Sequence, residues 1–515
     1  MKLLKTYALN CFSFYVLLSL VYSCSTEDGL YDTVQELDKP TVVTDSITTP
    51  IDSTGSHQGG TEHTPFHNIL KAFPSATGGG ALVSGGRAGK VIHVTNLNSE
   101  GPGSFREALL TKGARTVVFD VSGVIDLGGS GEMNDYNGSD IGLGPQHGNL
   151  TIAGQTAPEG GITITGGTIY FDTLENVIIR YIRSRPAEAV SGEITHGDAF
   201  IFWGCNDVIL DHVSVSFGGD QAITFNANTT TMKRITVQRS LIADSYTGII
   251  LGSNSIKKYS EVDKVSFINN LVVDVPHRTP NVCGDGNFEV IGNVIYNWQW
   301  RAINVNGGKS KLNHIANYYK RGRTTEKNSV AYNSNKIQIP NNLTAPILFS
   351  TNNFYSGVLN GDEMDNSIIW TNFSGSTPMP DSYFTTTPFA LIDASFELKS
   401  AKIFYNEVLN DVGANKYFDA NGRVVNQSDS YDGLKINNVK NDISTTPKQY
   451  SNWIVDRFTI NKRSTAYDTD LDGMPDVYEL SHGFDPNDST DGSEDANNDG
   501  YTNLEHFLNQ VDTNN

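Results

Sequence analysis

The chain has 515 residues, of which 38 % are hydrophobic and 18 % charged, with a formal net charge of -20, so core size is not limiting and length alone does not fix the number of domains. The acid excess, with no basic stripe or arginine-rich run, excludes nucleic acid as a partner. The acidity is concentrated at the two ends: residues 461–515 carry a net -11 and residues 25–65 a net -7, leaving the body close to neutral.

Residues 1–23 begin with Lys2 and Lys5 and continue in the apolar run FSFYVLLSLVY, too short for a comfortable membrane span and of secretory-signal type. Val21-Tyr22-Ser23-Cys24 resembles a bacterial lipobox, with Tyr22 bulkier than the usual residue. Residues 1–24 therefore read as a lipoprotein signal peptide with Cys24 lipidated, anchoring the mature chain to outer-membrane or cell-surface lipid. Plain secretion, with Cys24 removed or unpaired, is the alternative. Residues 25–65 have the Thr, Ser, Asp, Pro and Gly composition of a solvated tether. With Cys11 in the leader, only Cys205 and Cys283 remain, which implies no disulfide framework and two buried apolar thiols.

Folded sequence begins near Phe66, where Gly-rich turns alternate with strand-like runs. SFREALL places Phe105, Ala108 and Leu109 at helical spacing, with Ser104 as N-cap and Glu107 completing a capping box. A solenoid needs such a helix over its first rung, which otherwise exposes unpaired edge and apolar core.

From residue 177 to residue 321 short apolar runs recur: VIIRYIRS, VILDHVSVS, ITVQRSLIA, VSFINNLVV, FEVIGNVIY and LNHIANYYK, with starts 23 to 31 residues apart. Each is too short for a helix, rich in Val and Ile and bounded by turn residues, so each reads as a buried strand and one rung. No crossover helix fits between them, and a coil of short strands achieves parallel pairing without one. The expected fold is all-β, a right-handed parallel β-helix. Asn269, Asn270, Asn293 and Asn317 fall at similar places in successive rungs, either as a stacked amide ladder or as ordinary turn residues.

GGRAGKVIHVTNLNSEGPGSFREAL, TIAGQTAPEGGITITG, VIIRYIRSRP, HGDAFIFWGCNDVILDHVSVSFGGDQA and NNLVVDVPHRTP together resemble pectate lyases of the parallel β-helix type, over about residues 70 to 325. That resemblance implies Ca²⁺-assisted β-elimination of polygalacturonate. It places Asp198 and Asp220 as ligands of a catalytic Ca²⁺, with His196 and Thr224 where many members have carboxylates. It makes Arg278, in Arg278-Thr279-Pro280, the residue that removes the C5 proton. Thr247 stands where many members carry a substrate-binding lysine, and Cys283 where they carry a second arginine. Lys257, Lys258, Arg301, Lys309 and Lys311 are candidates for replacement charge.

After residue 323 the pattern weakens, and SAKIFYNEVLNDVGA at 400–414 has helical spacing suited to packing across the solenoid's flank. Residues 66–460 are thus read as the lyase domain with flanking segments, and residues 461–515 as an EF-hand-like or dockerin-like calcium module. In the module, Asp468, Asp470, Asp472, Asp476 and Glu479 stand at positions 1, 3, 5, 9 and 12 of a calcium loop with Gly473 at 6. Asp495, Asn497, Asp499 and Asn503 begin a second loop, in which Glu505 falls at position 11 and His506 at 12.

The leading expectation is a monomeric surface pectate lyase acting on polygalacturonate or pectin. A calcium-independent pectin lyase is favoured by Thr247 and Cys283 and opposed by the two acids. A β-helical polygalacturonase needs paired carboxylates for hydrolysis, and a non-catalytic glycan binder needs only the groove.

Overall fold

The computed structural model describes residues 70–128, 140–187, 197–228, 230–339, 344–375, 377–446 and 453–513. The readings of residues 1–24, with Cys24, of residues 25–65 and of His196 lie outside the described residues. Among the described residues no helix is long and apolar enough to cross a membrane.

Each recurrent apolar run is two strands rather than one. VIIRYIRS, for example, is divided between Glu175–Arg180 and Ile182–Ser184, with Tyr181 at the corner in the left-handed region at φ 55°. The same corner is made by His212, Arg239, Asn269, Gly292 and Ala316 in the following rungs. A left-handed residue turns the chain sharply within one position, so two strands on different faces read as one continuous apolar stretch. Among the described residues, stacking these turns gives three sheets of 10, 9 and 10 strands. All their neighbours pair in parallel except the terminal hairpin of Phe354–Tyr355 with Leu359–Asn360. The fold is a right-handed parallel β-helix, mostly β.

Inward-facing side chains stack in register from rung to rung. Phe171, Phe202 and Phe225 lie face to face with centroids 4.4 and 4.3 Å apart, and Leu251, Val282, Val305 and Ile337 continue toward the C-terminal end. All are almost inaccessible, and each buried side chain of this size stabilises by about 1.5–3 kcal/mol relative to exposure.

The asparagine ladder is present, one position later than Asn269. Asn269 is the corner residue, whereas the Nδ2 groups of Asn270, Asn293, Asn317 and Asn353 donate to the next Oδ1 at 3.0, 2.9, 2.9 and 2.8 Å, ending at Asn366. Each also donates to a main-chain carbonyl of the rung, so the row satisfies buried polar groups that the bend would leave unpaired. The coil likewise runs past residue 323, where the sequence pattern weakens, because Ile347–Thr351, Phe354–Tyr355 and Trp370–Asn372 add another turn. Short helices at Arg323–Glu326 and Val330–Asn333 interrupt the spacing and hide that turn in the sequence.

Helix Phe105–Leu110 buries Phe105, Ala108 and Leu109 against the first rungs. Ser104 caps the Glu107 N–H, but the Glu107 carboxylate accepts from the Gly103 N–H at 2.7 Å, so the expected reciprocal box closes one residue early. Arg115, fully buried, donates to the carbonyls of Ala108 and Leu109 and closes the other end. Cys205 and Cys283 are buried free thiols. Helix Ala401–Asn410 crosses the flank, where Val408 and Leu409 pack with Leu241, Leu271 and Val294.

The C-terminal segment is packed on the coil: Tyr478, Leu504 and Phe507 meet Ala153, Tyr181 and Phe418. Beneath this contact Arg180 pairs with Asp211 at 2.8 Å and with Asp512 at 2.6 Å, and its guanidinium lies 3.7 Å from the centre of the Phe73 ring. His212 stacks on Tyr181 and lies 2.9 Å from Asp211 and 3.3 Å from Asp411.

Burial opposes the His212 charge, but Asp211 and then Asp411 outweigh it and raise its pKa. Burial also disfavours the ionised forms of Asp211 and Asp411, and His212 with Arg180 or Lys416 more than compensates, holding both below the usual range. The histidine's contribution is therefore complete below about pH 6.5 and lost as pH rises through its raised value, whereas the acids' contribution is present above about pH 4 and lost in more acid solution. Replacing His212 by Gln is expected to remove the decline in melting temperature that sets in as pH rises above about 6.5. Calorimetric scans across that range check this, and an unchanged slope would refute the assignment.

Candidate active site

The second sheet presents one face inward and the other to solvent or covering loops. Alternation along its strands sends Phe225, Leu251, Val282 and Val305 into the core, and Thr224, Ile250, Asn281 and Asn304 to the opposite face in a single register row. The predicted catalytic residues lie at the entry to this row, Asp198 and Asp220 on adjacent rungs and Arg278 two rungs further on, past the rung of Thr247. Asp198 is two residues before Phe200–Trp203, Asp220 is immediately before Gln221–Asn226, and Arg278 is three residues before Asn281–Cys283.

Asp198 is 5 % exposed. Its Oδ1 accepts from the Gln221 N–H at 2.8 Å and its Oδ2 from the Thr224 hydroxyl at 2.5 Å. Burial and then neighbouring Asp220 push its pKa up to about 8, against those two hydrogen bonds and the Arg278 charge. Asp220 accepts from the Gln221 side-chain amide, and its carbonyl accepts from the Thr247 N–H at 2.8 Å. Asp198, Asp220 and Thr224 thus come together around Gln221, a residue carrying no recognisable sequence signal beyond its place beside Asp220.

Arg278 is half-buried at φ 63°. Its carbonyl accepts from the Ile249 N–H at 2.7 Å, and a Cβ on Gly248 would lie 2.1 Å from that oxygen, so a glycine is required for the two rungs to approach. Among the described residues its guanidinium makes no hydrogen bond or ion pair, although its charge acts on Asp198 and Cys283. A half-exposed cation without a structural partner among the described residues, whose charge reaches Asp198, has its donors available for a ligand.

Thr247 and Cys283 are buried at the start and end of their strands, and burial pushes the Cys283 thiol up to about 12, so both are neutral. Of the suggested replacement cations, Lys257, Lys309 and Lys311 are exposed, and Lys258 is half-buried. Arg301 is nearly buried, with its guanidinium 4.4 Å from the centre of the Phe373 ring. The neighbouring His277–Trp300 stack, with centroids 5.0 Å apart, has no counterpart in the sequence expectations.

In the C-terminal segment, Asp468, Asp470 and Asp472 bring carboxylate oxygens within 4.8 Å of one another, and Asp472, Glu479 and Asp491 form a second such group. Asp476 lies outside both groups, because its carboxylate accepts from the Thr469 N–H and hydroxyl at 2.8 and 2.7 Å. The second loop forms no comparable group among the described residues. Asp495 accepts from the Asp499 and Gly500 N–H groups, Asp499 meets His506, Asn497 folds back on Asp499, and Asn503 bridges Ala496 and Asp491.

No family model matches the chain. Among curated proteins it is similar to the probable pectate lyase C of Aspergillus flavus, 32 % identical over 457 residues and covering 87 % of this chain and 95 % of that protein. The probable pectate lyase C of Aspergillus fumigatus is 32 % identical over 452 residues, covering 86 % and 94 %. Among solved structures it is similar to jun a 1, the major allergen from cedar pollen, with a TM-score of 0.49 and 17 % identity over 66 % of this chain and 92 % of that one. A pectate lyase bound to a hexasaccharide gives a TM-score of 0.47 and 15 % identity over 67 % and 98 %. Fold and relatives define a β-helical polysaccharide lyase. The extent and level of identity with the Aspergillus proteins place it further: the chain belongs to the pectate lyase family.

Proposed function

We propose that the protein cleaves polygalacturonate by Ca²⁺-assisted β-elimination along the outer row of the second sheet, with Arg278 acting at C5. The observation that carries this is the unpartnered, half-buried Arg278 guanidinium, whose charge acts on Asp198, at the same edge of the second sheet as the Asp198 and Asp220 carboxylates. Those two acids supply hard oxygen donors of the kind Ca²⁺ takes. Both Asp198 oxygens already accept hydrogen bonds, so the set fits the ion as a half-site that a substrate carboxylate completes. When bound, the ion neutralises the uronate carboxylate and makes the adjacent C5 proton more acidic.

Arg278 takes that proton. The C5–H electron pair becomes the C4–C5 double bond, and the C4–O bond breaks to release the leaving chain end. A guanidinium has no site for a further proton, so Arg278 takes the C5 proton in its neutral form and becomes the cation, whose charge then stabilises the carboxylate on which electron density has built, while the departing C4 oxygen takes a proton from water. Gln221 orients both acids through its main-chain and side-chain amides.

A second reading, elimination on methyl-esterified pectin without Ca²⁺, is favoured by the neutral Thr247 and Cys283 and by the amides of Asn281 and Asn304 in the row. The test is the ultraviolet absorbance of the conjugated unsaturated product on polygalacturonate and on highly esterified pectin, each with CaCl₂ or with chelator. Calcium-dependent product from polygalacturonate supports the first reading, product from pectin alone with chelator supports the second, and no absorbance on either sinks both.

Residues 1–24 export the chain as a lipoprotein through Cys24, residues 25–65 hold the catalytic body of residues 66–460 off the lipid surface, and residues 461–515 bind structural Ca²⁺. The enzyme works as a monomer. Support for these assignments is the lipobox-like Val21-Tyr22-Ser23-Cys24, the polar tether composition and the acidic loop spacing.

A further inference from the structure

We propose that the C-terminal segment holds one Ca²⁺ rather than two, and that Asp491, from between the two loops, is one of its ligands while Asp476 is not. The proposal rests on reading Asp468–Glu479 as a calcium loop and changes its ligand set and its count.

Glu479 is 0 % exposed, and neither of its carboxylate oxygens has a hydrogen-bond partner. Asp470 Oδ2, Asp472 Oδ2 and Asp491 Oδ1 are buried and unpartnered as well. Their second oxygens are fixed by main-chain N–H groups: Asp470 Oδ1 by Asp472, Asp472 Oδ1 by Met474, and Asp491 Oδ2 by Asp485 at 3.0 Å. Each carboxylate therefore has one oxygen held by the fold and one without a partner, while the grouping of Asp472 with Glu479 and Asp491 brings three of these acids together. Burying an ionised acid without a partner is unfavourable, and like charges at this range repel. A hard divalent cation removes the conflict, and all-oxygen ligation is the chemistry of Ca²⁺.

The approach of the inter-loop segment is built for this contact. A Cβ on Gly492 would lie 2.2 Å from Asp472 Oδ2, so any larger residue beside Asp491 would displace that carboxylate. The second loop lacks the corresponding features. Glu505 receives Arg87 Nε at 2.8 and 2.9 Å and caps the Thr502 N–H, which removes it as the bidentate ligand. The ion would thus tie residues 484–494 to a loop whose Leu471 carbonyl meets His93 on the first strand of the coil.

Calorimetric titration with CaCl₂ of the full chain, in an Asp220→Ala background that disables the groove site, tests this. One bound ion is expected. Asp491→Asn should weaken it by about tenfold or more, whereas Asp476→Asn should change affinity by less than about threefold. The double change Asp495→Asn and Asp499→Asn should leave the stoichiometry at one. If the parent takes up no Ca²⁺, the calcium-loop reading fails and this proposal with it. Should the parent bind while Asp491→Asn binds equally well, only the ligand assignment is overturned; two ions, one lost with Asp495 and Asp499, would overturn the count. Hydrogen exchange on the unmutated protein gives a readout independent of how the variants fold: the amides of residues 485–493 should slow on adding CaCl₂, and an unchanged rate overturns the proposal.

Discussion

Replacing Arg278 by Lys is expected to lower kcat on polygalacturonate by roughly two to four orders of magnitude, the range found for positioned proton-transfer groups. The change in KM should be much smaller. Lysine keeps the positive charge, so attraction for the polyanion survives, but it loses the planar fork and changes the reach to C5. The guanidinium makes no structural hydrogen bond or ion pair among the described residues, and its backbone is held through its carbonyl by Ile249, so the substitution should leave the rung intact. A group acting mainly in the transition state lowers kcat and kcat/KM together. Asp220→Ala should behave differently, chiefly raising the CaCl₂ needed for half-maximal rate. Continuous absorbance assays at saturating CaCl₂, with circular dichroism to confirm folding, distinguish the two. Near-normal kcat in Arg278→Lys would show that this residue does not remove the proton.

The solenoid is legible in the sequence because its core is repetitive: the Val and Ile runs mark the stacked strands, and the period of 23 to 31 residues marks the turns. What stays hidden depends on single backbone conformations. Asn269 and Asn270 look alike in sequence, yet one sits at φ 55° and turns the corner while the other carries the amide ladder. The positions of Asp198, Asp220 and Arg278 could be taken from motif resemblance, but Gln221 joins the acids through its own main-chain N–H, which no residue type reveals. In the acidic tail, loop spacing finds Asp468, Asp470, Asp472 and Glu479, whereas Asp491 lies outside any loop register and enters only because the chain folds back. Asp476 fits the spacing and is diverted by a local bond to Thr469 that competes for the same carboxylate.

Replacing Arg180 by Met should destabilise the protein by about 3–5 kcal/mol, the usual cost of removing one partner from a buried ion pair. Arg180 is 2 % exposed and joins Asp211 in the coil to Asp512 near the C-terminus, over the ring of Phe73. Methionine fills much of the stem volume but leaves Asp211, which is wholly buried, with only His212 and Gln238 among the described residues to support its charge. The main cost is that stranded charge rather than the lost attraction, so adding Asp211→Asn to Arg180→Met should recover part of the loss. Asp512→Asn alone should cost less, because Arg180 keeps Asp211 and the neutral amide can still accept from the guanidinium. Chemical denaturation of the single and double variants in saturating CaCl₂ measures the coupling. Loss in Arg180→Met confined to a separate early transition of the C-terminal segment would show that the module unfolds independently of the coil. A single transition shifted as a whole is the result expected from an ion network that runs through both.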